Sequence, residues 1–237
     1  YYRPTQFSRL GLEYHTTNEF RRGGNKFDKE PFETDITEQT KHVINSGGLT
    51  YDLFWKEYKH KLSFYASAQH VDRNSYYGAQ QDPNAYGKTK DLTFVGGGMY
   101  TGNFEKVLFS PAVFTMGLEY QHNNMHDVMA GYNRDLKQEV RIASAFVQNE
   151  WKMKRFTLLA GFRLDEHNLI DHPIFSPRVN LLYKPSDAFQ GRLTWSTGFR
   201  APQAYDEDLH ITAVGGEGVL IHLAEGLKPE KSNSFSG

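Results

Sequence analysis

The sequence has no cysteine, no long apolar run and no charge imbalance, and each absence removes a class of protein. Without cysteine no disulfide framework is possible, which suits the cell envelope, although cytosolic chains share the feature. The longest stretch free of charge and histidine, Leu92 to Phe104, is shorter than the roughly 20 residues of a spanning helix. A transmembrane helix is therefore excluded, but a transmembrane strand of about 9–11 residues is not. With 27 basic and 28 acidic side chains, no single-sign field points to a nucleic-acid partner. Neither G-x-S-x-G nor S-x-x-K occurs, so these nucleophile motifs are absent. Gly96-Gly97-Gly98 lies inside a strand pattern with no helix after it, which excludes a nucleotide loop. Heptads and fixed-period repeats are missing as well.

What the chain has instead is 14% aromatic residues with 21 glycines, a pairing that suits pleated surfaces and close strand approach. Period-two alternation recurs along it. Leu10, Leu12 and Tyr14 share one face, opposite Arg9, Glu13 and His15. The same pattern holds for Leu49 to Trp55, Leu62 to Ala68, Phe114 to Tyr120, Phe156 to Leu164 and Val179 to Tyr183. In the last clear case Leu193, Trp195 and Phe199 oppose Arg192, Thr194, Ser196 and Arg200. A mean hydropathy of -0.64 agrees with strands that turn every second residue to a polar lumen.

The connections alternate in length. Short, mostly basic links are read at Lys56–Lys59, Asn103–Lys106, Lys152–Arg155 and Lys184–Asp187. Long polar links are read at Asn18–Glu33, Asp72–Lys88, Asn123–Lys137, His167–Ile174 and Ala201–Leu227. Turns that are short at one end and long at the other are the signature of an outer-membrane barrel with short periplasmic turns and longer external loops. The fold expected is all-β: an antiparallel up-and-down meander of nine to ten long strands, part of a transmembrane β-barrel, with residues 1–237 as one partial barrel domain.

Several motifs fit this reading. Gly198-Phe199-Arg200-Ala201-Pro202 is followed by Leu227-Lys228-Pro229-Glu230-Lys231-Ser232. Phe146-Val-Gln-Asn-Glu-Trp151 precedes Gly161-Phe-Arg163-Leu-Asp165, and Ser176-Pro-Arg178 opens a strand. In this order they resemble the TonB-dependent outer-membrane receptors of the siderophore and cobalamin type, and Asp82-Pro-Asn-Ala-Tyr-Gly87 resembles an outer loop of members from Bacteroidetes-like bacteria. The resemblance implies the bacterial outer membrane and energy-coupled uptake of a scarce nutrient complex, such as a ferric siderophore or cobalamin, without chemistry on the cargo. It also implies a plug domain and last strands outside this chain. The partners it implies are the TonB energy-transducing system acting through that plug, a small-molecule nutrient chelate and outer-membrane lipid. No cofactor is expected. The rival readings are an outer-membrane barrel enzyme, which would need a nucleophile and base at the bilayer rim, and a soluble β-sheet binding module, which would need smaller outward residues.

Two sets of residues are singled out. Arg21, Arg22, Arg73, Tyr76, Tyr77 and Tyr86 gather cations and aromatics on outer loops, able to capture an anionic or aromatic chelate by charge-assisted bonds and stacking. Arg163, Asp165, Arg178 and Arg200 fall on the lumen face, as expected where a charge on the lipid face costs roughly 2–4 kcal/mol near the midplane, and the resemblance implies that they are scaffold and plug-docking residues. His122 and His126, next to Asp127, lack a third fixed ligand and are read as polar residues at a strand tip. Asp206-Glu207-Asp208 with His210 is read as solvated loop, since calcium needs 6–8 oxygens. No metal site is expected.

Overall fold

The computed structural model describes residues 2–203 and 226–237. Their strands are β1 (Ser8–Gly24), β2 (Ile36–Trp55), β3 (His60–Ala79), β4 (Tyr86–Val107), β5 (Ser110–Met129), β6 (Arg134–Lys152), β7 (Phe156–His167), β8 (Ile174–Ser186), β9 (Phe189–Arg200) and β10 (Glu230–Ser236). They form one sheet in sequence order, every neighbour antiparallel. The only helical pieces among the described residues are single 3-10 turns at Pro31–Glu33 and Ala130–Tyr132. The expected meander is therefore observed.

Register explains why the alternation was readable. Leu49 on β2 pairs with Leu12 on β1 and Ala66 on β3, and Leu118 on β5 stands between Gly98 and Ala145. Leu158 pairs with Trp151 and Leu181, and Leu181 pairs with Leu193. One face is thus apolar across all ten strands, and it is bare: Leu12 is 82% exposed, Leu118 67% and Phe235 78%. On β2 this band runs from Trp55 to about Asn45, close to the roughly 9–11 residues a tilted strand needs to cross a bilayer. Phe199 is the exception, half-buried with its ring edge-on to His167 at 6.4 Å.

Three expected links move. Two of the long loops, Asp72–Lys88 and Asn123–Lys137, are mostly paired strand, with β3 continuing to Ala79, β4 starting at Tyr86, β5 reaching Met129 and β6 starting at Arg134. Beyond the bilayer both faces of a hairpin meet water or the hairpin's own cap, so hydrophobic alternation fades while backbone pairing persists. The link expected at Asn103–Lys106 is instead an irregularity within β4, between Phe104 and Val107, and the chain turns at Leu108 with φ 61°. Its run of polar residues imitates a turn.

The small apolar core lies at the long-hairpin end. Tyr76 and Ala85 are buried there, with Met125 and Met129. The hairpins are laced together: Gln80 and Gln81 donate backbone N–H bonds to Asp35 and Thr34 of the β1–β2 connection. Tyr132 Oη donates to the Tyr77 carbonyl and to Asp82 Oδ2, both at 3.2 Å. Burial and the Asp82 carboxylate push the Tyr132 phenol up to about 12. Gly131 is required at this junction, because a Cβ there would come 2.1 Å from the Asn84 carbonyl oxygen.

Candidate functional site

Strands β1 to β5 enclose a cavity of about 700 Å³ on the polar face, at the long-hairpin end. Its wall follows from register: Arg21, Thr40, His42, Arg73, Thr89 and Asp91 stand at polar-face positions of four successive strands. Arg21, Arg22, Arg73 and Tyr77, singled out from sequence, all line it.

These side chains are held in different ways. Arg21 is exposed and paired with Glu19 at 2.7 Å. Arg22 donates from Nη2 to the Lys29 carbonyl at 2.6 Å and lies over the Phe27 ring, yet its buried Nε has no hydrogen-bond partner. Arg73 belongs to β3 rather than to a loop. It donates to Thr89 Oγ1 from Nε at 3.0 Å and from Nη2 at 2.8 Å, and reaches Asp127 at 3.4 Å. Asp127, 4% exposed, also receives Arg134 Nε at 2.6 Å. His42 sits among these charges with Nδ1 buried and unbonded, 3.6 Å from Glu19 Oε2. Burial, and then the Arg73 charge, hold its imidazole below the usual 6.5.

The other two tyrosines do not belong to this cavity. Tyr76 and Tyr86 pair across β3 and β4 on the opposite face, with ring centroids 4.9 Å apart. Tyr76 is 1% exposed and its hydroxyl donates to the Asp82 carbonyl at 2.8 Å, so it fixes the hairpin tip instead of meeting a ligand. Strand alternation is the physical reason: neighbours Tyr76 and Tyr77 must face opposite sides.

Deeper on the polar face lies a second cluster, in one register row: Tyr65, Gly97, Glu119, Ser144 and Asp165. Tyr65 Oη donates to Glu119 Oε2 at 2.6 Å, passing over Gly97. Arg163 joins the row from two residues away, donating to Glu119 at 2.8 Å, Ser144 at 2.7 Å and Asp165 at 2.7 Å. Arg178 is exposed at a polar-face position opposite Ser196, and Arg200 is in register with Glu230. Sequence reading reached Arg163 and Asp165 but missed Tyr65, Gly97 and Glu119, whose only signal was the glycine at the centre of Gly96-Gly97-Gly98. His42 and Asp127 were likewise missed as parts of the cavity.

His122, His126 and Asp127, read from sequence as polar residues at a strand tip, are not brought together. His122 meets Glu139 at 3.1 Å and His126 meets Asp135 at 2.7 Å on the apolar side of the sheet, while Asp127 points the other way. Asp206-Glu207-Asp208 and His210 lie outside the described residues.

With this geometry in place, comparison with known proteins is decisive. The sequence model described as "TonB dependent receptor-like, beta-barrel" matches residues 1–237. The chain belongs to this family of TonB-dependent receptor barrels. Its members are outer-membrane receptors rather than enzymes, and the chain is accordingly an outer-membrane protein. Among solved structures, the siderophore receptor PirA from Pseudomonas aeruginosa is 19% identical with a TM-score of 0.72, covering 99% of this chain and 40% of that one. A variant of the ferric enterobactin receptor PfeA from the same organism is 16% identical with a TM-score of 0.64, covering 85% of this chain and 32% of that one. Another PfeA variant, in complex with enterobactin, has a TM-score of 0.61 at 16% identity. A comparison with curated proteins finds no match. The chain thus spans less than half the length of these receptors.

Proposed function

We propose that this chain forms part of the wall of a receptor that captures a scarce, anionic metal chelate of the ferric siderophore kind and passes it inward through a plug driven by TonB. The observation that carries the reading is the cavity on the lumen face at the outer end, lined by three arginines and His42, with Arg22 Nε and His42 Nδ1 buried behind its surface without hydrogen-bond partners. Of its three carboxylates Glu19 holds Arg21 and Asp91 accepts two bonds from Asn123, while Glu38 stands at the wall with no ion pair among the described residues. Buried polar atoms without partners are uncommon; an oxygen-rich anion would accept from Arg22 Nε, and from His42 Nδ1 when that nitrogen carries a proton. Tyr77 adds an aromatic wall. Cobalamin, the other cargo considered from sequence, gives these cations less to bind. In this reading Arg163, Asp165, Arg178 and Arg200 shape the lumen wall that faces the plug.

The test is the Arg21→Ala, Arg22→Ala double variant of the intact receptor, assayed for binding of a ferric tris-catecholate. Loss of two charge-assisted contacts of about 1.5–3 kcal/mol each weakens binding by about a hundredfold or more. Heat-modifiable gel mobility stays unchanged, because the exposed Arg21 pair contributes about 0–1 kcal/mol to stability and the Arg22 bond reaches only the β1–β2 connection at Lys29. Wild-type affinity in a folded double variant overturns the reading.

A further inference from the structure

Within the apolar band, strand β6 turns a polar side chain outward: one register row reads Phe114, Asn149, Ala160 and Val179 across β5 to β8, with Val147 and Trp151 as the outward neighbours of Asn149 along β6. Asn149 is 7% exposed, and both ends of its amide, Nδ2 and Oδ1, are buried without a hydrogen-bond partner. Because neither atom is bonded, exchanging them in the amide plane alters nothing. An amide left unmet in an apolar setting is costly, since no water is there to bond it. Beside it the small Ala160 side chain leaves an apolar groove of about 370 Å³, walled by Phe114, Phe162, Phe175 and Val179 and lined also by Asn149. Any further strand joins the sheet at β1 or β10, and a plug fills the lumen on the other face, so this groove is reached from the bilayer.

We infer that the groove holds one acyl chain of a membrane lipid that carries a hydroxyl near its head end, and that Asn149 bonds this hydroxyl. A hydroxyl both donates and accepts, as the empty amide requires, whereas an ester or a phosphodiester only accepts. The two side-chain torsions of Asn149 let its amide turn toward a chain lying beside it. Depth sets where the hydroxyl must sit. Trp151, its Nε1 donating to the Val107 carbonyl at 3.0 Å, stands near the short-turn end of β6, where an aromatic girdle meets the membrane interface. Asn149 is two residues further in, about 5 Å deeper on a tilted strand, level with the first carbons of an acyl chain. The size of the groove suits a slender ligand. A protein partner needs on the order of 800 Å² on each side, and would span the recess while leaving the amide beneath it unmet. The inference uses only the bilayer-facing side of the sheet and is independent of the cargo.

The test is native mass spectrometry of the intact receptor in detergent, titrated with phosphatidylethanolamine carrying β-hydroxymyristoyl chains and with the same lipid carrying myristoyl chains. The hydroxylated lipid binds about tenfold tighter, the effect of two neutral hydrogen bonds. Asn149→Leu binds both lipids alike, and heat-modifiable gel mobility shows it at least as stable as the wild type, because the amide it removes had no partner. Ala160→Leu fills the recess and loses the preference as well. The Arg21→Ala, Arg22→Ala receptor keeps the preference, so failure of the cavity reading is separable from failure of this one. Four results overturn the inference: equal affinity of the wild type for the two lipids, a preference that survives in Asn149→Leu, displacement of the hydroxylated lipid by equimolar free β-hydroxymyristate, or a receptor dimer that Asn149→Leu dissociates.

Discussion

Gly97 offers a sharp test of how the wall is built, because its two glycine neighbours provide internal controls. A methyl group at Gly97 would sit 2.6 Å from Tyr65 Oη and 2.6 Å from the Leu118 carbonyl oxygen. The first contact is with a side chain that can rotate away, but only by giving up its bond to Glu119; the second is with backbone and cannot be relieved by a rotamer change. Overpacking costs about 1–3 kcal/mol, and loss of a bond to a charged acceptor adds about 1.5–3 kcal/mol. Replacing glycine within a strand returns about 0.5–1 kcal/mol. Gly97→Ala is therefore expected to lose about 2–4 kcal/mol. At Gly98 the nearest atom is a Phe64 ring carbon at 3.4 Å, and at Gly96 it is the far end of the Phe94 ring at 3.0 Å. Both face the apolar side, and alanine there is expected to be neutral within about 1 kcal/mol. Unfolding in detergent, followed by heat-modifiable gel mobility for the three single variants, reads the difference. Adding Tyr65→Ala to Gly97→Ala should recover only part of the loss, since the clash with Leu118 remains. Equal stability of the Gly97 and Gly98 variants would refute the argument that this row is packed through a bare backbone.

Asp127→Asn removes the carboxylate that Arg73 and Arg134 share, and breaking a buried pair from one side costs about 3–5 kcal/mol; an unfolding midpoint equal to wild type would contradict the assigned pairs. His42 gives a pH signature with two opposite signs. Its imidazole is held below 6.5 in the free protein, so the unfolded chain takes the proton more readily and the unliganded hairpins lose stability as pH falls through 6.5 and below. An anion in the cavity offsets the Arg73 and Arg21 charges around His42 and favours the protonated form, so anion affinity rises over the same fall in pH. His42→Gln should flatten both profiles, measured by calorimetric titration and thermal unfolding; a variant with the wild-type slopes would remove His42 from the site.

The parts of the fold that were legible in sequence are those where a bilayer imposes the pattern. Between Trp55 and about Asn45 on β2, and at matching levels of the other strands, lipid on one side and polar lumen on the other force strict alternation, and those strands could be read from residues alone. Above that level nothing enforces a one-sided surface. Tyr76 and Tyr77 then look equivalent in sequence, although pairing sends one into a packed hairpin and the other into the cavity. The Asn123–Lys137 stretch, read as a loop, is mostly strand because backbone bonds need no hydrophobic pattern. Arg73 was chosen for its charge, but its partners Thr89 and Asp127 come from strands far along the chain, and only register brings them together.

The two charged clusters of the lumen face differ in what they leave unmet, and that difference is the best guide to their roles. In the deep row Glu119, Ser144, Asp165 and Arg163 bond to one another, with Tyr65 closing the end over Gly97. A network satisfied in this way fixes strand positions across five strands and has little capacity left for a ligand. In the outer cavity Asp127 is saturated by two arginines, but Arg22 Nε and His42 Nδ1 remain buried and unbonded. Buried polar atoms left unsatisfied cost free energy in the empty protein. A ligand that supplies acceptors there recovers that cost on binding, so the outer cavity can discriminate for an anion while the deep row holds the wall rigid beneath it.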